Sequence, residues 1–234
     1  MKALLLSSSK ADNTGYLEHA LPMIREHHKD SDADTLLFIP FAGVSVSYDD
    51  YTTMVADALK PLNLNVIGIH QTDDPVAAIQ QAKSIAVGGG NTFHLLYQLY
   101  QQGLLEPLKT AVANGALYTG WSAGSNIAGL TIRTTNDMPI IQPPSFDALQ
   151  FIPCQLNPHY TDYQPPGFHG ETRQMRLEEF MVLDSECAVI GIQEGTALSL
   201  NGDTLQLIGN KNGFLFRGGE KSELPQGADL SYLL

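Results

Sequence analysis

Ala116-Leu117-Tyr118-Thr119-Gly120-Trp121-Ser122-Ala123-Gly124-Ser125-Asn126-Ile127-Ala128 is the stretch that decides the fold. Its first four residues read as a buried strand and its last six as the small-residue start of a helix. Between them Gly120-Trp121-Ser122-Ala123-Gly124 matches G-x-S-x-G, a pattern in which a serine is carried on a sharp strand-to-helix turn. Small neighbours let the backbone pass so tight a turn. The serine hydroxyl is lifted out of the sheet, and the N–H of the next residue, Ala123, is aimed at a substrate carbonyl. A glycine-rich turn that merely packs closely would carry the same letters; the strand before and the helix after favour the elbow. Ser122 is therefore the candidate nucleophile.

Working outward, short apolar runs alternate with helix-period segments through the first half of the chain, the mark of a parallel sheet with crossover helices. Strands are expected at 3–7, 35–39, 64–69, 84–87 and 116–119, and helices at 51–59, 75–82, 92–102 and 106–113. In the third helix Phe93, Leu96, Tyr97 and Tyr100 recur at i, i+3, i+4 and i+7 and are expected to face the sheet. Pro22 is expected to end or kink the first helix near Leu21. From Thr131 to Gly170 the pattern dissolves into a loop with Pro139, Pro143, Pro144, Pro153, Pro158, Pro165 and Pro166, a length more often functional than idle. A helix at 172–183 follows. Runs at 188–192, 197–200, 205–208 and 214–216 then read as an antiparallel edge added to the sheet. The expected architecture is α/β, one domain over 1–234, with a mostly parallel sheet between helical layers.

Composition narrows the function. A net charge of −12, with only 13 Lys+Arg, leaves no basic cluster for nucleic acid. No run approaches a membrane span, and the N-terminal apolar run is too short for a signal peptide. Cys154 and Cys187 lack metal or disulfide spacing, which places the protein in a reducing cytoplasm. No motif calls for a cofactor or a metal, and monomer and homodimer both remain open.

A serine needs a base and a group to orient it. Of seven histidines, surface or capping roles suit His19, His27, His28 and His94. His70 ends a strand and is harder to dismiss. His159, in Asn157-Pro158-His159-Tyr160, ranks first, and His169 is its competitor. For the acid, Glu194 closes a buried-looking strand, whereas Asp137 would give the order Ser, Asp, His. Val87-Gly88-Gly89-Gly90-Asn91-Thr92 is not a nucleotide fingerprint, since Phe93 stands where a third glycine would be. Its bare backbone suits an oxyanion hole, with the N–H near Gly90 joining that of Ala123.

GGGNTF at 88–93, GWSAGSN at 120–126, IRTTNDMP at 132–139, NPHY at 157–160 and GETR at 170–173 together resemble the peptidase E family of cytoplasmic aspartyl dipeptidases. LLLSSS at 4–9, LEHALP at 17–22, FIPFAG at 38–43 and DPVAAI at 74–79 extend the resemblance over nearly the whole chain. It implies a class I glutamine amidotransferase-like fold with serine in place of cysteine, and metal-free cleavage of Asp-Xaa dipeptides. Carried onto this sequence, it makes Ser122 the nucleophile, His159 the base and Glu194 the acid, with Asp137 an alternative acid or a holder of the substrate amine. Gln193 stands where the family pattern leads one to expect proline.

Between Ser122 and Glu194 there is no lysine, and the arginines are Arg133, Arg173 and Arg176. Arg173 falls in the first turn of its helix, where the macrodipole disfavours a cation. We therefore expect it to grip a substrate carboxylate bidentately, with Asn91 assisting, rather than to pair with Glu171, Glu178 or Glu179. The rival readings are a cyanophycinase-like hydrolase of β-linked aspartyl substrates and a non-catalytic small-molecule binding protein on the same fold. An amidotransferase is disfavoured because neither cysteine occupies the elbow.

Overall fold

A computed structural model describes residues 1–234. The strands are β1 (Lys2–Leu6), β2 (Thr35–Ile39), β3 (Asn65–Gly68), β4 (Ser84–Val87), β5 (Leu117–Trp121), β6 (Gln155–Pro158), β7 (Val189–Ile192), β8 (Thr196–Asn201), β9 (Thr204–Gly209), β10 (Gly213–Arg217) and β11 (Glu220–Leu224). The helices are α1 (Leu21–His28), α2 (Tyr48–Leu59), α3 (Pro75–Gln81), α4 (Thr92–Gln101), α5 (Leu105–Ala113), α6 (Ala123–Asn126) and α7 (Arg173–Leu183).

The main sheet runs β3-β2-β4-β5-β1-β8-β9, with the first five strands parallel and the last two antiparallel. Alternation along the strands sends neighbouring residues to opposite faces. Leu5, Ile39, Ile85 and Val87 pack with α3, α4 and α5 on one face, while Leu4, Leu6, Phe38 and Ala86 pack with Ile24 of α1 and Val55 of α2 on the other. Burial on both faces is why these strands read as continuous apolar runs. The result is the expected three-layer α/β/α fold. No helix is long and apolar enough to cross a membrane.

Pro22 does not end a helix. It lies in the first turn of α1, where its missing N–H is one of the donors left unbonded anyway and its fixed φ suits the helix. The expected stripe of α4 is only partly the core stripe, since Leu96 is buried while Phe93, Tyr97 and Tyr100 are half-buried. Thr92, Leu95, Leu96 and Leu99 are buried, while Phe93 packs edge-on against Phe146 and Tyr100 donates to the Asp147 carbonyl at 3.0 Å. The leucines fill the narrow gap over the sheet, and the rings cover the proline-rich loop beside it.

The C-terminal strands are not one antiparallel edge. β8 and β9 extend the main sheet, but β7, β10 and β11 join β6 in a second sheet of order β11-β10-β7-β6, in which β6 and β7 are parallel. β6 lies inside the stretch that reads as loop, because polar Gln155 and Asn157 interrupt its apolar pattern. Both are buried. Gln155 donates to Thr131 Oγ1 at 2.6 Å and Asn157 to the Thr134 carbonyl at 2.8 Å. Asn126 and Thr134 donate to the Leu156 carbonyl at 2.7 and 2.8 Å, and Asn136 to the Pro158 carbonyl at 2.9 Å. Loop side chains thus do for this sheet edge what another strand would do.

Candidate active site

Ser122 follows β5 and precedes α6, at φ 52° and ψ −113°. A non-glycine residue there stores about 1–3 kcal/mol of strain and persists only where its surroundings impose it. The flanking glycines are part of that imposition. A Cβ on Gly120 would sit 2.5 Å from the Gly124 carbonyl oxygen, and one on Gly124 would sit 2.1 Å from that of Val87. Ala123 opens α6, so its N–H has no intrahelical acceptor.

The glycine run after β4 lies against this elbow. A Cβ on Gly89 would meet Ser122 Cβ at 3.0 Å, and Gly90 adopts φ +139° with its backbone pressed on Ala42. The amides of Gly89 and Gly90 donate to no protein acceptor. The structure thus brings Gly89 against Ser122, and Gly90, with its free N–H, borders the same cleft as Ser122.

His159 follows β6 at a left-handed φ of 57°. Its Nδ1 donates to Glu194 Oε1 at 2.7 Å. A carboxylate only accepts, so the proton sits on Nδ1 and Nε2 presents a basic lone pair. Ser122 and His159 line the same two pockets without a hydrogen bond between them, a contact that in ligand-free sites commonly forms only with substrate. His169 is exposed, His70 bonds Asp49 at 3.0 Å, and His94 bonds the Phe41 carbonyl at 2.6 Å. His27 and His28 are more buried than a surface or capping role implies; His28 Nε2 lies 2.9 Å from Ser84 Oγ.

Asp137 does not touch His159. Its Oδ2 accepts from the Thr92 amide at 2.8 Å and from Thr92 Oγ1 at 2.6 Å, which closes the N-terminus of α4, while Oδ1 has no protein donor. Arg173 is the first residue of α7. Its nearest protein acceptor is the Pro158 carbonyl at 3.5 Å, and no carboxylate lies within ion-pair distance. Glu171 pairs with Arg176 instead, and Asp184 with Arg133. Burial pulls the Arg173 pKa down, a sign of a cation partly stripped of water. Ser122, Asp137, His159 and Arg173 line one pocket of about 220 Å³. Asn91 is not there to assist. Its Oδ1 caps α4 at the His94 amide (3.0 Å) and its Nδ2 donates to the Met138 carbonyl (2.9 Å), holding it on the other side of Ser122.

That other side is a more open cleft of about 590 Å³ bounded by Gly89, Gly90, Val44, Val46, Met54 and Ile140. A larger cavity of about 650 Å³, against Lys2, His27 and Leu117, opens at the amino ends of the strands and contains none of these residues. Ligands of open α/β sheets bind at the carboxyl ends, so the chemistry decides against the larger space.

Ser7 escapes sequence reasoning although LLLSSS contains it. Buried at the end of β1, its Oγ accepts from the His159 amide at 2.8 Å and donates to the Ile192 carbonyl at 2.8 Å, tying the main sheet to the second one at the imidazole. Tyr160, beside His159, donates to Asp162 at 2.6 Å, and Asp162 also holds Lys221. Nothing in the spacing of these residues along the chain predicts either cluster.

The fold is an α/β scaffold of the class I glutamine amidotransferase-like kind, and the family match makes the chain a peptidase. The model of peptidase family S51 matches residues 3–208, and the chain belongs to that family. It is 55% identical to proteins named peptidase E from Shewanella amazonensis, over 238 residues, and Shewanella denitrificans, over 236, each match covering 100% of this chain and 99% of the relative. In fold it is similar to the crystal structure of a peptidase from an acI-B1 actinobacterium, with a TM-score of 0.71 and 17% identity, covering 98% of this chain and 96% of the other.

Proposed function

We propose that the chain is a serine dipeptidase of the cytoplasm that removes an N-terminal aspartate from Asp-Xaa. The observation that carries this reading is the pocket of about 220 Å³ beside Ser122, which pairs one guanidinium without a carboxylate partner, Arg173, with one half-free carboxylate, Asp137. A space of that size fits one residue. Its two charges complement a side-chain carboxylate and an α-ammonium, the pair that only an N-terminal acidic residue presents.

In the step so bounded, Ser122 Oγ attacks the carbonyl carbon of the aspartyl residue and its proton passes to His159 Nε2. The carbonyl electron pair moves to oxygen, where the Gly90 and Ala123 N–H groups receive it. Glu194 steadies the imidazolium through Nδ1. Collapse of the tetrahedral adduct breaks the C–N bond, and His159 returns the proton to the leaving amine. Water then repeats the sequence on the aspartyl ester.

The test is turnover of Asp-Leu against Asn-Leu, Glu-Leu, N-acetyl-Asp-Leu and β-Asp-Leu, with Ser122→Ala and Arg173→Met alongside. Asp-Leu should exceed each of the others at least tenfold. Ser122→Ala should be inactive, and Arg173→Met should lose about 100-fold in kcat/KM, since a charge-assisted fork contributes on the order of 3 kcal/mol. Full activity of Ser122→Ala would sink the mechanism, and full activity of Arg173→Met the specificity.

A further inference from the structure

The Gly89–Gly90 peptide is fixed at its carbonyl by a chain of side-chain hydrogen bonds that starts at the elbow itself and borders the open cleft. Trp121 Nε1 donates to Tyr16 Oη at 2.9 Å, Tyr16 Oη donates to Tyr51 Oη at 3.1 Å, and Tyr51 Oη donates to the Gly89 carbonyl at 2.9 Å. Its direction is forced. A carbonyl only accepts, so the single proton of Tyr51 goes to Gly89 and the Tyr51 oxygen must accept from Tyr16, whose own oxygen accepts from the indole, which only donates. Burial pushes both phenols up, Tyr16 well above its ordinary range, so neither loses its proton and breaks the relay.

Packing leaves the chain little freedom to rearrange. Phe38 stacks on Trp121 with ring centroids 5.8 Å apart and meets Tyr51 edge-on at 5.0 Å. Gly88 lacks the Cβ that would sit 2.6 Å from Tyr51 Oη, so the phenol reaches the loop only because that residue is glycine. Both ends of the relay adjoin reacting groups, since Trp121 precedes Ser122 and Gly89 precedes Gly90.

A peptide is planar and trans, so fixing the Gly89 carbonyl fixes the Gly90 N–H on the opposite edge of the same plane. Glycine on either side of this peptide would otherwise let the plane rotate at little cost. We infer that Tyr51, supported by Tyr16 and Trp121, is a positioning residue that holds the Gly90 N–H aimed at the oxyanion of the Ser122 adduct. The inference rests on the serine-hydrolase reading above.

The experiment compares Tyr51→Phe and Tyr16→Phe with wild type in kcat and KM on Asp-Leu and in melting temperature. It also measures inhibition by an aspartyl aldehyde, which adds Ser122 Oγ to its carbonyl carbon and leaves the oxygen in the oxyanion hole, and by the product aspartate, which does not need that hole. Deleting an oxyanion donor outright costs about 10²–10³ in rate, and loosening one costs less. Tyr51→Phe should therefore lower kcat about tenfold and weaken the aldehyde by a like factor, while KM and aspartate binding stay within about twofold. Tyr16→Phe should follow in the same direction, by about threefold. Wild-type kcat in folded Tyr51→Phe overturns the inference, as does equal weakening of aldehyde and aspartate, which marks general loosening. If Tyr51→Phe does not fold, Tyr16→Phe decides by the same criteria. A wild-type chain that neither cleaves Asp-Leu nor takes a fluorophosphonate at Ser122 overturns the hydrolase reading and this inference with it; wild-type turnover with an unaffected Tyr51→Phe overturns the inference alone.

Discussion

Glu194 and Asp137 are the two carboxylates near His159, and their hydrogen bonds divide the work between them. Glu194 spends an oxygen on the imidazole at 2.7 Å, whereas Asp137 spends one on Thr92 and keeps the other for the small pocket. Steady-state kinetics on Asp-Leu should separate them. Glu194→Gln should depress kcat by about 10² or more with KM within a few fold, because the orienter acts on the proton transfer. Asp137→Asn should chiefly raise KM, by about tenfold, because an ammonium loses its counter-charge. A kcat collapse in Asp137→Asn with Glu194→Gln unaffected would reverse the assignment. The residues alone leave Glu194 and Asp137 open, and the family resemblance favours Glu194; in the structure His159 follows β6 and Glu194 follows β7, and those strands lie side by side. Ser7 and the tyrosine relay are not legible in the sequence, because a buried hydroxyl has no periodicity and takes its partners from segments 35 or more residues away.

Among the elements, the parallel strands were readable because burial on both faces makes each a nearly continuous apolar run, and β6 was not because its inward side chains are polar. α1 likewise turns polar residues inward. His27 and His28 are held on the protein side of the helix, and His27 Nε2 has no hydrogen-bond partner. Burial, aided by its neighbour His28, pushes the His27 pKa down to about 4. Burial also lowers His19 and His28. The folded chain therefore refuses protons that the unfolded chain accepts below its ordinary histidine pKa of about 6.5. His27 thus costs nothing above that value, and stability falls as pH drops from there toward 4, where the loss levels off. At pH 5 the single group accounts for about 2 kcal/mol. Urea melts should lose stability steadily between pH 7 and pH 4.5, and His27→Asn should flatten that slope. A slope left intact in His27→Asn would remove His27 as its origin.

At the scale of the whole molecule, the two sheets are built from different stretches of chain, yet Ser122 comes from one and the His159–Glu194 pair from the other. Catalytic geometry then depends on how the sheets are joined, and Ser7 is the joint nearest the chemistry. Its hydroxyl accepts from the His159 amide and donates to the Ile192 carbonyl, with no solvent exposure. Ser7→Ala leaves the His159 amide without its acceptor, while Ile192 keeps its bond from the Tyr160 amide at 3.0 Å. One buried donor left unpaired costs about 1–3 kcal/mol, so melting should drop by about 2–12 °C for a chain of this size. We propose that the sheets unfold together, so the drop should appear in one transition with equal calorimetric and van't Hoff enthalpies. The base should also lose alignment, because the left-handed φ of 57° at His159 is imposed by these contacts rather than preferred by the residue. The kcat of Ser7→Ala on Asp-Leu should therefore fall by about tenfold or more at temperatures well below melting, with KM nearly unchanged, because Arg173 and Asp137 are untouched. A lowered melting temperature with unchanged kcat would mean that Ser7 fastens the sheets without aiming the imidazole.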